Sequence, residues 1–371
     1  GDRDPLDAYG NTTDLNWMAG SQYVYSFGKC IFMPSDLTAG IEFNQDKLED
    51  NMWGYNRTVD QKVNIGSAFL QNEWKNDHWG FLIGGRLDKH NLIDHVIFSP
   101  RANLRYNPTE NINLRFSYSS GFRAPQAFDE DLHVENVGGN VAMVELADNL
   151  KEERSQSLSA SADIYHRFGA FQVNFLVEGF YTKLSDVFAL TDVVDGILTR
   201  TRHNASGAQV LGLTLEGKMA YLNKIQVQAG VTLQQSHYSK PHIWNKEAPA
   251  VKKMMRTPNT YGYFTATYTP IKPLSIALSG TYTGSMLVPH EPVPGFLENP
   301  ITVNTKDFFD IGLKAAYDFK LYKSMNLQLN AGIQNIFNAY QDDFDKVWGI
   351  ERSGFFNGRE KWAKGFENQR V

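Results

Sequence analysis

Apolar and polar residues alternate with a period of two from one end of this chain to the other. In "INLRFSYS", residues 112–119, the first, third, fifth and seventh positions are apolar or aromatic and the others polar. The same code returns in "IQVQAGVTLQ" at 225–234, "MNLQLNAGIQ" at 325–334 and "LSASADI" at 158–164. Weaker copies lie near 16–26, 37–47, 62–73, 78–88, 96–106, 171–184, 207–219, 260–269, 273–284 and 308–319. A period of two puts alternate side chains on opposite faces of a strand, whereas long 3.6-residue patterns are scarce here. The pattern predicts about 14 strands of about 10 residues, the length that crosses a bilayer at a tilt.

The connections add a second regularity, because they tend to alternate short and long. Tight turns are predicted at 75–79, 107–111, 166–170, 221–224, 269–273 and 318–324, and long loops at 48–61, 121–153, 185–206, 238–258, 285–306 and 338–348, with 89–95 a shorter member. All the long loops then fall at one end of the sheet, as in an outer-membrane barrel. A soluble β-sandwich also alternates, but its strands are shorter and its turns closer together. Gln226, Gln228, Thr232 and Gln234 on one strand, and Asn113, Arg115 and Ser117 on another, suit a wet lumen. Tyr165, Tyr221, Tyr268 and Tyr317 near strand ends are placed in an interfacial girdle.

Composition narrows the class further. Hydrophobic residues make up 42% of the chain, aromatics 13%, and there are 30 glycines, a mixture that favours β-structure. A net charge of -5 supplies no basic footprint, so nucleic acid is excluded as a partner. Cys30 is the single cysteine, which rules out an internal disulfide framework and a cysteine-rich zinc site. No run approaches the roughly 18 apolar residues of a membrane helix. The opening "GDRDPLDAYG" lacks the basic and apolar regions of a signal peptide. There is no GxSxG, HExxH or GxxxxGK[ST], and the carboxylates Asp129 and Asp131 are weak grounds for acid–base chemistry, so no enzyme and no cofactor are expected. "NRT" at 56–58 matches a glycosylation acceptor, a match that would carry no weight if the chain is a bacterial outer-membrane barrel.

At Gly121-Phe-Arg-Ala-Pro125 the chain resembles a known family. "GFRAPQAFDEDLH" followed by "NLKEERSQSLSASADIYH" is similar to the barrel of TonB-dependent outer-membrane receptors, especially those of Bacteroidetes-type bacteria. In the expected order come "GGRLDKH" at 84–90, "FSPRANLRYNP" at 98–108, "FLVEGFYTKLSDVF" at 175–188, "NASGAQVLGLTLEG" at 204–217 and "LNAGIQNIFNAYQDDFD" at 329–345. The resemblance implies an all-β transmembrane antiparallel barrel of the 22-stranded plugged type. About 14–16 of those strands are expected here, with no segment the size of a plug. Counting back from "LNAGIQNIFN" as the penultimate strand makes the first one here about the eighth. The whole of 1–371 is therefore expected to be a C-terminal part of a larger transporter, or one polypeptide of a split one. The ending "REKWAKGFENQRV" departs from the aromatic-terminated closing strand of the family.

The candidate ligand residues lie in the long loops. Gly121 permits a turn and Pro125 ends ladder pairing, which leaves Arg123 at a strand end to clamp a carboxylate such as Asp129, Glu130 or Asp131. His133 follows "DEDL", and in haem receptors of the family a histidine near a related motif is implicated in binding. The stretch "HYSKPHIWNKEAPAVKKMMRTP" at 237–258 offers His237, Tyr238, His242, Trp244, Met254, Met255 and Arg256, with Lys252 and Lys253 beside them. Imidazole and thioether groups coordinate iron or softer metals, rings contact a macrocycle, and the basic cluster attracts an anionic complex. His290, in the proline-rich "MLVPHEPVPGF", stands in the next long loop. Each residue has a plainer reading as a loop anchor or a solvated surface group.

The expectation is TonB-dependent transport across the bacterial outer membrane of a scarce metal-containing ligand: a ferric siderophore, haem or cobalamin. The partners it implies are outer-membrane lipid, the metal complex, a surface lipoprotein, and the TonB complex acting through a plug segment outside this chain. The alternative is a passive porin or adhesion barrel without a plug.

Overall fold

The computed structural model describes residues 10–53, 57–125, 134–137, 140–190, 198–245, 247–290 and 297–339. Among them no helix is long and apolar enough to cross a membrane. Up to residue 123 the described residues form six strands: β1 (Gly10–Cys30), β2 (Met33–Met52), β3 (Arg57–Lys75), β4 (Trp79–His90), β5 (Val96–Thr109) and β6 (Ile112–Arg123). Short strands β7 (Val134–Val137) and β8 (Asn140–Leu146) follow, then β9 (Glu153–Phe168), β10 (Phe171–Ser185), β11 (Phe188–Leu190) and β12 (Leu198–Asn204). The remainder is β13 (Ala208–Tyr221), β14 (Ile225–His242), β15 (Val251–Lys253), β16 (Thr260–Ile271), β17 (Leu274–Thr283), β18 (Leu287–His290), β19 (Ile301–Asn304), β20 (Phe308–Tyr322) and β21 (Met325–Ile333).

All fourteen predicted strands are present, and several exceed the expected length. The loop expected at 48–61 is mostly ladder: β2 and β3 stay in register up to the pair Met52 and Arg57. Beyond a bilayer both strand faces meet water, so pairing continues there without the alternation that reveals it. The turns of the other end are as short as predicted. Cys30 pairs with Met33 around Ile31-Phe32, and Ile271 with Leu274.

The chain divides into two compact units. The first takes its described residues from Gly1–Tyr106, Arg115–Leu158 and Thr182–Ala208, the second from Asn107–Leu114, Ser159–Tyr181 and Gln209–Val371. In the first, β1 to β6 pair in chain order, each antiparallel pair closed by a hairpin. Ile41, Ala68, Leu87 and Phe98 form one cross-strand row and Glu42, Ser67 and Asp88 the adjacent row on the other face. The apolar face lies open, with Ile83 62% and Leu70 56% exposed. A soluble fold would bury those side chains at ~25 cal/mol per Å²; a lipid-facing band has no need to.

The polar face is a network. The Arg86 guanidinium donates to Glu42 Oε1 at 2.9 Å, Ser67 Oγ at 2.7 Å and Asp88 Oδ1 at 2.7 Å, and Ser67 Oγ donates to Asp88 Oδ1 at 2.6 Å. Asp88 is only 2% exposed, so its charge is held by these partners rather than by water. At the tight-turn end, Trp79 stacks on Tyr106 with centroids 4.2 Å apart, and Phe32 on Trp74 at 5.6 Å, an aromatic belt of the kind that marks a membrane interface.

In the second unit β13, β14, β16, β17, β20 and β21 neighbour one another in that order. Gln228 faces Thr265 and Ser279, while Val227 faces Ala266, Leu278 and Leu313 on the opposite surface. The wet face predicted from Gln226 and Gln228 is thus present. It carries its own chain of bonds: Gln228 Nε2 donates to Tyr263 Oη at 2.7 Å, Tyr263 Oη to Glu216 Oε2 at 2.6 Å, and Lys218 pairs with Glu216 at 2.7 Å. Tyr165 departs from the expected girdle, because its hydroxyl donates to Asp163 and it lines the polar face beside Asn174 and Gln226.

Candidate functional site

The long connections have architecture of their own. In the first unit the stretches after β6 and after β10 fold together as a small sheet ordered β11-β12-β8-β7, in which β12 runs parallel to β8. Leu198 pairs with Ala142 and Arg202 with Leu146. Asn204 pins the two stretches: Lys151 N donates to its Oδ1 at 2.7 Å, and its Nδ2 donates to Asp186 O at 2.7 Å and Lys151 O at 3.0 Å. A single amide thereby satisfies three backbone groups that a loop would otherwise leave to water.

Arg123 sits at the root of this assembly. Its guanidinium stands 3.9 Å from Glu153 Oε2 and 5.8 Å from the centre of the Phe188 ring. Arg202, 4% exposed, approaches the same ring at 5.9 Å. Two guanidiniums on one ring fix the base of both stretches through cation–π contact. The acidic residues proposed for Arg123, namely Asp129, Glu130 and Asp131, and also His133, lie outside the described residues. Next to Glu153 in the chain, Glu152, almost buried, receives Arg154 Nε at 2.8 Å and His95 Nε2 at 3.0 Å. Burial pushes this carboxyl up, but its own backbone N–H, Arg154 and His95 outweigh that and hold it below the ordinary value.

In the second unit β14 overruns the sheet and turns back on β15, with His237 opposite Lys253 and His242 opposite Val251. Met254 N donates to Ser236 O at 3.0 Å, and the Tyr238 and His242 rings lie 4.8 Å apart. The indole Nε1 of Trp244 is buried without a hydrogen-bond partner among the described residues. Thr257 Oγ1 donates to Met255 O at 3.0 Å, and Arg256, at φ 56°, donates its N–H to Leu287 O at 2.7 Å. That bond ties the stretch to the hairpin of β18 and β19, where His290 ends β18 opposite Ile301. The proline-rich loop is thus partly a β-hairpin.

His237, Tyr238, His242 and Met254 are therefore brought to one strand pair, while Arg256 is tied to the β18 hairpin. Trp244, Met255 and His290 flank them, and Arg123 belongs to the first unit. Among the described residues no group of three or more His, Cys, Asp or Glu side chains is placed to hold a metal ion. Sequence reading passed over Phe188, Arg202, Asn204 and the His95–Glu152–Arg154 group. Phe188, Asn204, Glu152 and Arg154 fall inside motifs noted for resemblance alone, whereas Arg202 and His95 fall in none of them.

Comparison with known proteins places this arrangement. A family model described as "TonB dependent receptor-like, beta-barrel" matches residues 2–336. Among solved structures, the siderophore receptor PirA from Pseudomonas aeruginosa superposes with a TM-score of 0.64 at 16% identity, over 89% of this chain and 55% of that one. The ferric-catecholate import receptor Fiu from E. coli K12 gives 0.64 at 13%, over 90% and 52%. The FrpB iron transporter from Neisseria meningitidis gives 0.63 at 15%, over 88% and 52%. The chain thus spans about half the length of the solved structures it matches. A search of the curated proteins finds no match. With fourteen long antiparallel strands, tight turns at one end and folded connections at the other, the chain belongs to the TonB-dependent receptor β-barrel family of the bacterial outer membrane.

Proposed function

We propose that this chain is the C-terminal barrel portion of a transporter that captures a metal-containing ligand at the cell surface and passes it inward at TonB's expense. The observation that carries this reading is the difference between the two ends of the strands. Turns of two or three residues close one end, while at the other the connections fold into a four-stranded sheet and two hairpin-like extensions. Ordering so much backbone costs roughly 1–2 kcal/mol per residue, a cost that a mere connector does not require. Arg123, His133, His237, Tyr238, His242, Trp244, Met254, Met255, Arg256 and His290 are the proposed contacts. Several receptors with this fold are siderophore or iron receptors, and one was solved with enterobactin bound, which supports a ferric siderophore ahead of haem or cobalamin. The plug through which TonB acts is proposed to lie outside this chain, and a surface lipoprotein is a further proposed partner.

The test is uptake of radioactive iron, given as ferric enterobactin or haemin, by iron-starved cells whose sole outer-membrane route is this receptor. Uptake should saturate and should stop when TonB is deleted or the proton gradient collapsed. Uptake indifferent to both, with a steady conductance in planar bilayers, would instead identify a passive pore.

A further inference from the structure

The polar face of the first unit neutralises its charges unevenly. On β2, β3 and β4 the cations have anions: Lys75 reaches Asp36 at 2.7 Å and Glu73 at 3.6 Å, and Arg86 reaches Glu42 at 2.9 Å and Asp88 at 2.7 Å. On β5 and the first half of β6 they do not, although Arg123 at the end of β6 reaches Glu153 at 3.9 Å. Arg101, Arg105 and Arg115 have no acidic side chain within 4.0 Å among the described residues.

Register puts these arginines on the polar side. Arg101 lies opposite Gly84, Asn103 opposite Leu82 and Arg105 opposite Gly80, whereas Leu104 pairs with Phe81 and Ala102 with Ile83 on the apolar side. On β6, Arg115 alternates with the exposed Phe116. Period two therefore aligns Arg101, Asn103 and Arg105 in one column, the arginines about 13 Å apart along the strand, with Arg115 on the next strand. The neighbouring column on β4 is Gly80, Leu82 and Gly84, which offers no charge and little bulk. Arg105 lies across Gly80, where an added Cβ would meet its Nε at 3.2 Å. It donates through Nη2 to Asn76 O at 3.0 Å, while its Nε is buried without a partner. Arg101, Asn103 and Arg115 stand exposed.

We infer that this column is an anion-binding site on the inner wall, built for a small oxygen polyanion such as a carboxylate-, catecholate- or phosphate-bearing complex. Three guanidiniums and an amide supply donors in a fork geometry suited to such oxygens, and nothing acidic among the described residues competes for them. Uncompensated like charges repel, and a bound polyanion converts that repulsion into affinity. The site lies toward the tight turns, away from the folded connections, so it rests on the transport reading only in being a second station for the same cargo.

Pyrophosphate titrated calorimetrically into the receptor chain purified in detergent is the test. Saturable binding that weakens as salt rises is expected, with at least a tenfold loss in R101Q/R115Q and retention within about threefold in R101K/R115K. The single variants R101Q and R115Q, each checked for wild-type heat-modifiable migration, keep the result readable if the double variant does not fold. Absence of saturable binding by the wild type would overturn the site, whether the face is bare or occupied by carboxylates of the receptor itself. Unchanged affinity in R101Q/R115Q would overturn it too. Binding is read on purified protein, so an intact titration beside dead uptake would sink the transport reading and leave this one standing.

Discussion

At the scale of the residue, glycine is used where a ring must lie flat on the neighbouring strand. Gly230 faces Tyr263, and a methyl group there would sit 2.8 Å from the ring. Gly230→Ala should lift the ring, break its bonds to Gln228 and Glu216, and cost about 1–3 kcal/mol in urea unfolding from lipid vesicles. Tyr263→Phe should then cost less in that background than alone, since the bonds it removes are already gone. Ile31 shows the opposite case. It is a β-branched residue at φ 63°, closing a turn in which Phe32 N donates to Cys30 O at 2.8 Å. Ile31→Asn should stabilise the barrel by about 1 kcal/mol in the same assay, because Asn tolerates this conformation and Ile31 is exposed. Asn204→Ala should leave that unfolding midpoint unchanged but speed amide exchange at 147–151 and 186–190, the segments its side chain joins.

At the scale of the element, the fourteen long strands were legible because lipid on one face and water on the other impose alternation residue by residue. The seven short strands were not. "VKK" and "FAL" are too brief to show a period, and the Val134–Val137 strand has only four residues in which to do so. The candidate residues Tyr238 and His242 could be named from chemistry, but their pairing depends on the register of β14 with β15, which no local pattern encodes. Arg123 was expected to seek Asp129, Glu130 or Asp131, which lie outside the described residues; the described neighbour is Glu153, at the far end of the same predicted loop. The root of these stretches should also respond to pH. Glu152 ionises below its ordinary value of 4.5, so its contribution is fully present above that value and is lost as pH falls through the lower, folded one. Amide exchange at 147–152 should therefore accelerate as pH drops below about 4.5, after correction for intrinsic rates, and Glu152→Gln should flatten that response.

At the scale of the whole molecule, stability rests on a sheet whose apolar side faces lipid and whose polar side carries hydrogen-bonded networks such as that of Arg86. Ile83→Arg should cost about 2–4 kcal/mol on unfolding from vesicles if it lies near the midplane, whereas Thr265→Arg on the polar face should cost far less. A closed two-residue turn also leaves no room to insert or delete a residue without breaking two strands. The folded connections at the other end hang on a few pins such as Asn204, and between those pins length is free to change. Inheritance should therefore record the two ends in different hands: point substitutions where Ile31 and Phe32 turn, insertions and deletions where β7 to β12 and β14 to β19 fold. An antibody raised on intact cells meets only the second kind, so immunity to one strain should teach little about the next.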